Sequence, residues 1–138
     1  MRSPCSISPH LAVVIDSDKE SRYARINPTK RRVRDEFDNS DEPGFAWVTD
    51  CHTIENYVPL PLLIEAVRKV SRATLTYNGD RWNVPLSTEG GTAVDKVKLA
   101  HHVCDAWNAT AELNYDLKSR IKKTIHFIRK ANGLNGER

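Results

Sequence analysis

The sequence has no apolar run approaching the ~20 residues that a membrane-spanning helix needs, and its mean hydropathy of −0.56 lies on the polar side. A short apolar run follows Met1-Arg2-Ser3-Pro4-Cys5, but it leads straight into two aspartates, where a secretory signal would carry small residues for cleavage. The expectation is a cytoplasmic protein. Cysteine is scarce. Cys5, Cys51 and Cys104 lie far apart with no C-x-x-C pair, which argues against both a zinc site and a disulfide framework. His101-His102 ahead of Cys104 does not restore a metal reading, because adjacent helical side chains diverge by about a hundred degrees. A lone cysteine is usually a small buried hydrophobe. No G-x-x-x-x-G-K-[ST] phosphate loop occurs, so a P-loop ATPase is excluded for this chain. Acidic residues are missing from the segment before Leu11 and again from Lys118 to Lys130. There is no internal repeat and no low-complexity segment.

What is present is organised around Leu11-Ala12-Val13-Val14-Ile15-Asp16-Ser17-Asp18. A continuous, β-branched apolar run too short for a helix predicts a strand buried on both faces, as in a parallel sheet. Residues just past the carboxyl end of such a strand face the ligand crevice of an open α/β sheet. Residues two apart in extended chain point to the same side, so Asp16 and Asp18 can converge on a hard cation such as Mg²⁺, which prefers oxygen ligands. The competing reading is a polar turn, since Asp and Ser bond readily to their own backbone. With 138 residues, 39% of them hydrophobic and 28% charged, the chain has room for one domain with a modest core.

Along the chain, residues 1–10 read as an irregular segment. Asn27-Pro28 starts a helix that runs to about Phe37, with Val33 and Phe37 one turn apart on its inner side. The segment 38–44 is a loop, and Phe45-Ala46-Trp47-Val48 is a second short buried strand. Past its end, Thr49 to Pro59 again gathers polar groups, including Glu55. Pro59 and Pro61 bracket a helix start with Leu60, Leu63, Ile64 and Val67 as its apolar stripe. Thr74 to Tyr77 has β character, Asn78-Gly79-Asp80 is a turn, and residues 81–94 form a loop or insertion. Asp95 caps a helix over Lys96–Trp107 with Val103, Cys104 and Trp107 inward. A last helix is expected from about Glu112 to Ala131 with the stripe Leu113, Leu117, Ile121, Ile125 and Ile128, stopped by Asn132-Gly133. The order of elements argues for an α/β layer with a helical tail. The net charge of +3 is unevenly spread. Lys30-Arg31-Arg32 and the acid-free stretch holding Lys122 and Lys123 are candidates to track a nucleic-acid backbone, although a charge run is more often a solvated helix face.

Val14-Ile15-Asp16-Ser17-Asp18, the basic helix, Trp47-Val48-Thr49 leading to Thr53-Ile54-Glu55-Asn56-Tyr57, and Asp95-Lys96-Val97-Lys98-Leu99-Ala100 together resemble the Toprim nuclease domain of the OLD-family endonucleases. That family joins an N-terminal ABC-type ATPase to a C-terminal Toprim domain, and several members act in anti-phage defence. The resemblance spans Leu11 to Trp107 and implies a partial Toprim fold, a Rossmann-like parallel sheet flanked by helices, over 11–107, with a basic helical extension over 108–138. It implies Mg²⁺ or Mn²⁺ held by Asp16, Asp18 and Glu55, with Lys96 (less well Lys98) beside the scissile phosphate of DNA. Carboxylate-held divalent ions activate water and stabilise the leaving oxygen in phosphodiester hydrolysis, and a lysine meets the charge that builds in the transition state.

The resemblance also implies what is missing. Family members begin the Toprim domain with an earlier strand ending in a glutamate, so the expectation is a truncated or split C-terminal piece whose ATPase and first acid are encoded upstream. Such a piece should leave a sheet edge or apolar face uncovered and associate with itself. The alternative is a non-catalytic α/β module that binds nucleic acid or protein. A phosphotransfer receiver also gathers acids at strand ends, but it would want a lone Asp after a later strand.

Overall fold

Gly44 is the point at which the chain closes on itself. A Cβ there would lie 2.1 Å from the Leu11 carbonyl oxygen, so no larger residue fits where the second strand comes alongside the first. The computed structural model describes residues 10–108 and 112–134; the expectations for residues 1–9 lie outside this range. Strand β1 is Ala12–Ile15 and strand β2 is Phe45–Val48, joined by helix α1, Pro28–Asp38. The strands pair in parallel, with Ala12 opposite Phe45 and Ile15 opposite Val48. A 3₁₀ turn over Ile54–Tyr57 leads into α2, Leu60–Ser71; α3 is Lys96–Ala106 and α4 is Leu117–Ala131. The chain is thus α/β, with a two-stranded parallel sheet and four α-helices among the described residues. No described helix is long and apolar enough to cross a membrane.

The helix starts follow local chemistry. The Asn27 side chain accepts from the Lys30 amide at 2.9 Å and Pro28 occupies the first turn. Asp95 accepts from the amides of Val97 and Lys98, each at 3.1 Å. Both satisfy amides that a helix leaves unpaired at its N-terminus.

Alternate residues of the sheet enter two different cores. Leu11, Val13, Ile15 and Ala46 face α1 and pack with Phe37 and Val33. On the other face Phe45 and Trp47 pack with Cys51, Tyr57 and Leu117, helped by Ala12 and Phe127. β2 is buried, but β1 is not enclosed on both faces as its apolar run predicts: Val14 is 55% exposed. β1 has one hydrogen-bonded neighbour among the described residues, and the helices that cover Phe45 and Trp47 do not reach over Val14. A third core joins α2 and α3 through Leu63, Ala66, Val67, Leu99 and Val103, with Tyr77 from the intervening segment.

Two inward assignments on α2 and α3 are corrected. On α2, Ala66 is buried and Ile64 is exposed; on α3, Leu99 is buried and Cys104 is exposed. The last helix begins at Leu117 rather than Glu112, because Tyr115 adopts a left-handed backbone with φ of +54° that breaks the helical run. Of its stripe, Leu117 is buried, whereas Leu113, Ile121, Ile125 and Ile128 are exposed, Ile128 by 52%. The segment 73–94 is tied down. Leu75 bridges Thr88 in antiparallel fashion, the Thr76 amide donates to the Ser87 carbonyl at 2.8 Å, and Pro85 is buried. The β character of Thr74–Tyr77 is spent on that one bridge.

Candidate functional site at the carboxyl edge of the sheet

Because the strands are parallel, both leave the sheet at the same edge. The Thr49 amide donates to the Ile15 carbonyl at 3.0 Å and continues the ladder by one rung. Beyond it, Ser17 is buried and acts as the staple between the two exits. Its amide donates to Thr49 Oγ1 at 2.9 Å and its hydroxyl to the Cys51 carbonyl at 2.5 Å. The Asp18 amide donates to the His52 carbonyl at 2.8 Å.

Asp16 reaches across this edge. Its Oδ1 accepts from the Ile54 amide at 2.8 Å, at the first residue of the 3₁₀ turn. Glu55 is the next residue, so the turn that carries it is fixed by the β1 carboxylate. Glu55 Oε1 lies 3.2 Å from Lys96 Nζ at the first residue of α3. Its side chain is 14% exposed, and Oε2 is buried with no hydrogen-bond partner among the described residues. A buried carboxylate oxygen left unpaired carries a desolvation cost that a cation, a water or a donor group would remove.

Asp18 behaves differently. Its φ of +54° takes it out of the extended geometry in which residues two apart share a side. Its carboxylate pairs with Lys30 Nζ, which also donates to the Asp16 carbonyl at 2.7 Å. Lys30 is therefore half-buried and engaged, while Arg31 and Arg32 of α1 are exposed. Lys122 and Lys123 are exposed on α4, Lys123 with its ammonium 4.9 Å from the Phe45 ring centre. Lys98 is exposed too, with its backbone amide on Asp95. The structure thus ties Asp16 to the turn that carries Glu55, pairs Glu55 with Lys96, and turns Asp18 toward α1. Among the described residues, no group of three His, Cys, Asp or Glu side chains is arranged as a metal-ligand set. The donor chemistry that remains, the Asp16 carboxylate and the unpaired oxygen of Glu55, is oxygen-only. Oxygen donors of this type are the ones a hard cation prefers.

Several residues that hold the edge carry no motif. Arg81 donates to the Asp50 carbonyl at 2.6 and 3.0 Å and pairs with its carboxylate at 2.6 Å. Its guanidinium lies 4.6 Å from the Trp82 ring centre and 4.3 Å from that of Tyr115. The Arg81 carbonyl accepts from the His52 amide at 2.8 Å, and His52 Nδ1 meets the Lys19 carbonyl at 2.8 Å. Arg81 lies in a segment without hydrophobic periodicity, so nothing in the sequence singles it out. Tyr57 stands in the Thr53–Tyr57 stretch, but its role as a hub is set by distant partners. Its buried hydroxyl accepts from Trp47 Nε1 at 3.2 Å and from the Asp50 amide at 2.9 Å, and donates to Asp116 Oδ1 at 2.6 Å. Burial first, and then the hydrogen bond to Asp116, holds the phenol well above its usual range. Burial likewise pushes the Cys51 thiol up to about 12. Both groups stay neutral and structural.

No family model, no curated protein and no solved structure matches this chain.

Proposed function

We propose that this chain is a Toprim-like, divalent-metal-dependent DNA phosphodiesterase module of the kind found in OLD-type anti-phage enzymes, working together with an ATPase-bearing half. The single observation that supports the reading is the Asp16–Ile54 hydrogen bond, which ties the β1 carboxylate to the turn whose next residue, Glu55, pairs with Lys96, past the strand ends where α/β sheets bind ligands. Asp16 and Glu55 would hold Mg²⁺ or Mn²⁺, which when bound supplies Lewis-acid stabilisation of a phosphoryl oxygen and a more acidic water. The chain's own residues do the rest. Asp16 anchors the turn, Lys96 offers positive charge where a phosphate would lie, and Lys30 neutralises Asp18 so that the edge is less strongly acidic. Lys122 and Lys123 extend the charge available to a nucleic-acid backbone.

Nicking of supercoiled plasmid tests the reading. With Mn²⁺ or Mg²⁺ the chain alone should nick only slowly, at or just above the level seen in EDTA, because the first acid of the family's set is missing from it, and the rate should rise when an ATPase-bearing half is supplied. Glu55→Gln should abolish that activity, and Lys96→Ala should lower the rate. If the parent and that half together nick with neither metal, the better account is the second reading, a non-catalytic nucleic-acid-binding module. That reading is favoured by the acid-free basic helix α4.

A further inference from the structure

The least explained surface of the molecule is apolar. α3 and α4 form the walls of a groove of about 530 Å³, floored by Tyr57, Leu63 and Leu117 and edged by Ala100 and Ile121. Ile121 is exposed, and so are Ile125 and Ile128, which continue the same face of α4 for two further turns. On the opposite wall Ala100 and Cys104 are exposed. A small ligand would fill the groove and leave Ile125 and Ile128 in water. A linear apolar stripe at i, i+4 and i+7 is matched by a helix lying along it.

The charge around the stripe states what kind of helix. Lys118, Lys122 and Arg129 fall on the face of α4 next to the stripe on its solvent side, about one residue step around the helix, and all three are exposed. No acid occurs in α4, and at the far end Glu55 is already paired with Lys96. A second copy of this chain would bring basic rim against basic rim. Residues 1–9 carry Arg2 and no acid, so they offer no complement either.

We infer that the groove between α3 and α4 is a docking site for an acidic amphipathic helix of a partner protein, seated on Ala100, Leu117 and Ile121 and rimmed by Lys118, Lys122 and Arg129. Glu55 and Lys96, which the nuclease reading uses, line the far end of the same groove, so the test reads peptide binding, which can fail or succeed separately from nicking. Like-charge contacts are what exclude the wrong partner at such a surface.

The test uses a fluorescent peptide of about five helical turns, with leucine on one face and glutamate elsewhere, and a twin with lysine in place of glutamate. Anisotropy should show saturable binding of the acidic peptide and binding weaker by about tenfold or more for the basic one. Ile121→Glu and Ala100→Glu both change exposed positions, so melting should stay near that of the parent while peptide binding is lost. Lys118→Glu with Lys122→Glu should narrow the difference between the two peptides. Equal binding of both peptides, or acidic-peptide binding that survives Ile121→Glu, overturns the inference. So does a parent dimer in light scattering that Ile121→Glu converts to monomer, which would assign the groove to a second copy. Ile121-dependent binding to phosphatidylserine vesicles without peptide binding would assign it to a membrane surface and equally overturn it.

Discussion

The Tyr57 hydroxyl donates to Asp116 Oδ1 at 2.6 Å across fifty-nine residues of sequence. The same oxygen accepts from Trp47 Nε1 and the Asp50 amide, so one atom joins β2, the loop after it and the start of α4. Asp116 is held in turn by Arg120 Nε at 3.0 Å. A phenol has one proton to give and two lone pairs, and all are used.

Tyr57→Phe keeps the ring and strands three partners. The expected loss is about 1–3 kcal/mol, the range for leaving buried polar groups unsatisfied, read from urea unfolding with an unchanged m-value. Hydrogen exchange should rise most in the first turn of α4. Uniform acceleration across α1 and α2 would contradict the assignment of Tyr57 as the tether of α4.

Alkaline pH should unfold the chain earlier than its carboxylates alone would suggest. Cys51 binds its proton more tightly folded than unfolded, with the folded value at about 12 against 9.0. Above the unfolded value the unfolded state holds fewer protons, so stability falls as pH rises. The contribution is complete below about 9 and disappears toward about 12; Tyr57, also raised, steepens the top of that window. Cys51→Ala should flatten the melting temperature against pH over that range. In the parent at neutral pH, a thiol reagent should label exposed Cys104 quickly and buried Cys51 only on unfolding.

Much of this fold is written in short windows of sequence. Asn27-Pro28 and Asp95 cap the helices they precede, and the two apolar runs at Ala12 and Phe45 become the strands. What depends on distant partners was not legible. The Asp-x-Asp spacing assumes extended backbone, but Asp18 is drawn into a left-handed conformation by the His52 carbonyl and the Lys30 ammonium. The stripe of α4 marks an apolar face correctly, yet periodicity states that a face is apolar and not what covers it. Only the packing shows that Phe127, off the stripe, meets Phe45 with ring centres 5.5 Å apart, while Ile125 and Ile128 face solvent.

Lys30 and Lys122 separate by this logic. Lys30 is committed to Asp18 and the Asp16 carbonyl, whereas Lys122 is exposed. Lys122→Gln should weaken duplex DNA binding and reduce the salt slope by about 0.9. Lys30→Met should leave that slope unchanged and destabilise the fold instead. A reduced slope for Lys30→Met would return α1 to the nucleic-acid surface.

Gly44→Ala places a methyl 2.1 Å from the Leu11 carbonyl oxygen, and the obstacle is backbone that cannot rotate away. The expected cost is about 1–3 kcal/mol, as for overpacking a filled site, or loss of the parallel pairing altogether. A melting temperature equal to the parent would show that β1 and β2 do not approach this closely.

The central claim is that Asp16 and Glu55 form one cation site. Isothermal calorimetry with Mn²⁺ on the parent, Asp16→Asn and Glu55→Gln tests it directly. Asparagine keeps an acceptor for the Ile54 amide, so melting should change little while the charge is lost. The account predicts that the parent binds Mn²⁺, that each single variant weakens binding by about tenfold or more, and that the double variant is no worse than the weaker single, as coupled ligands require. Parent-like Mn²⁺ binding in both single variants, or no binding in the parent, would contradict it.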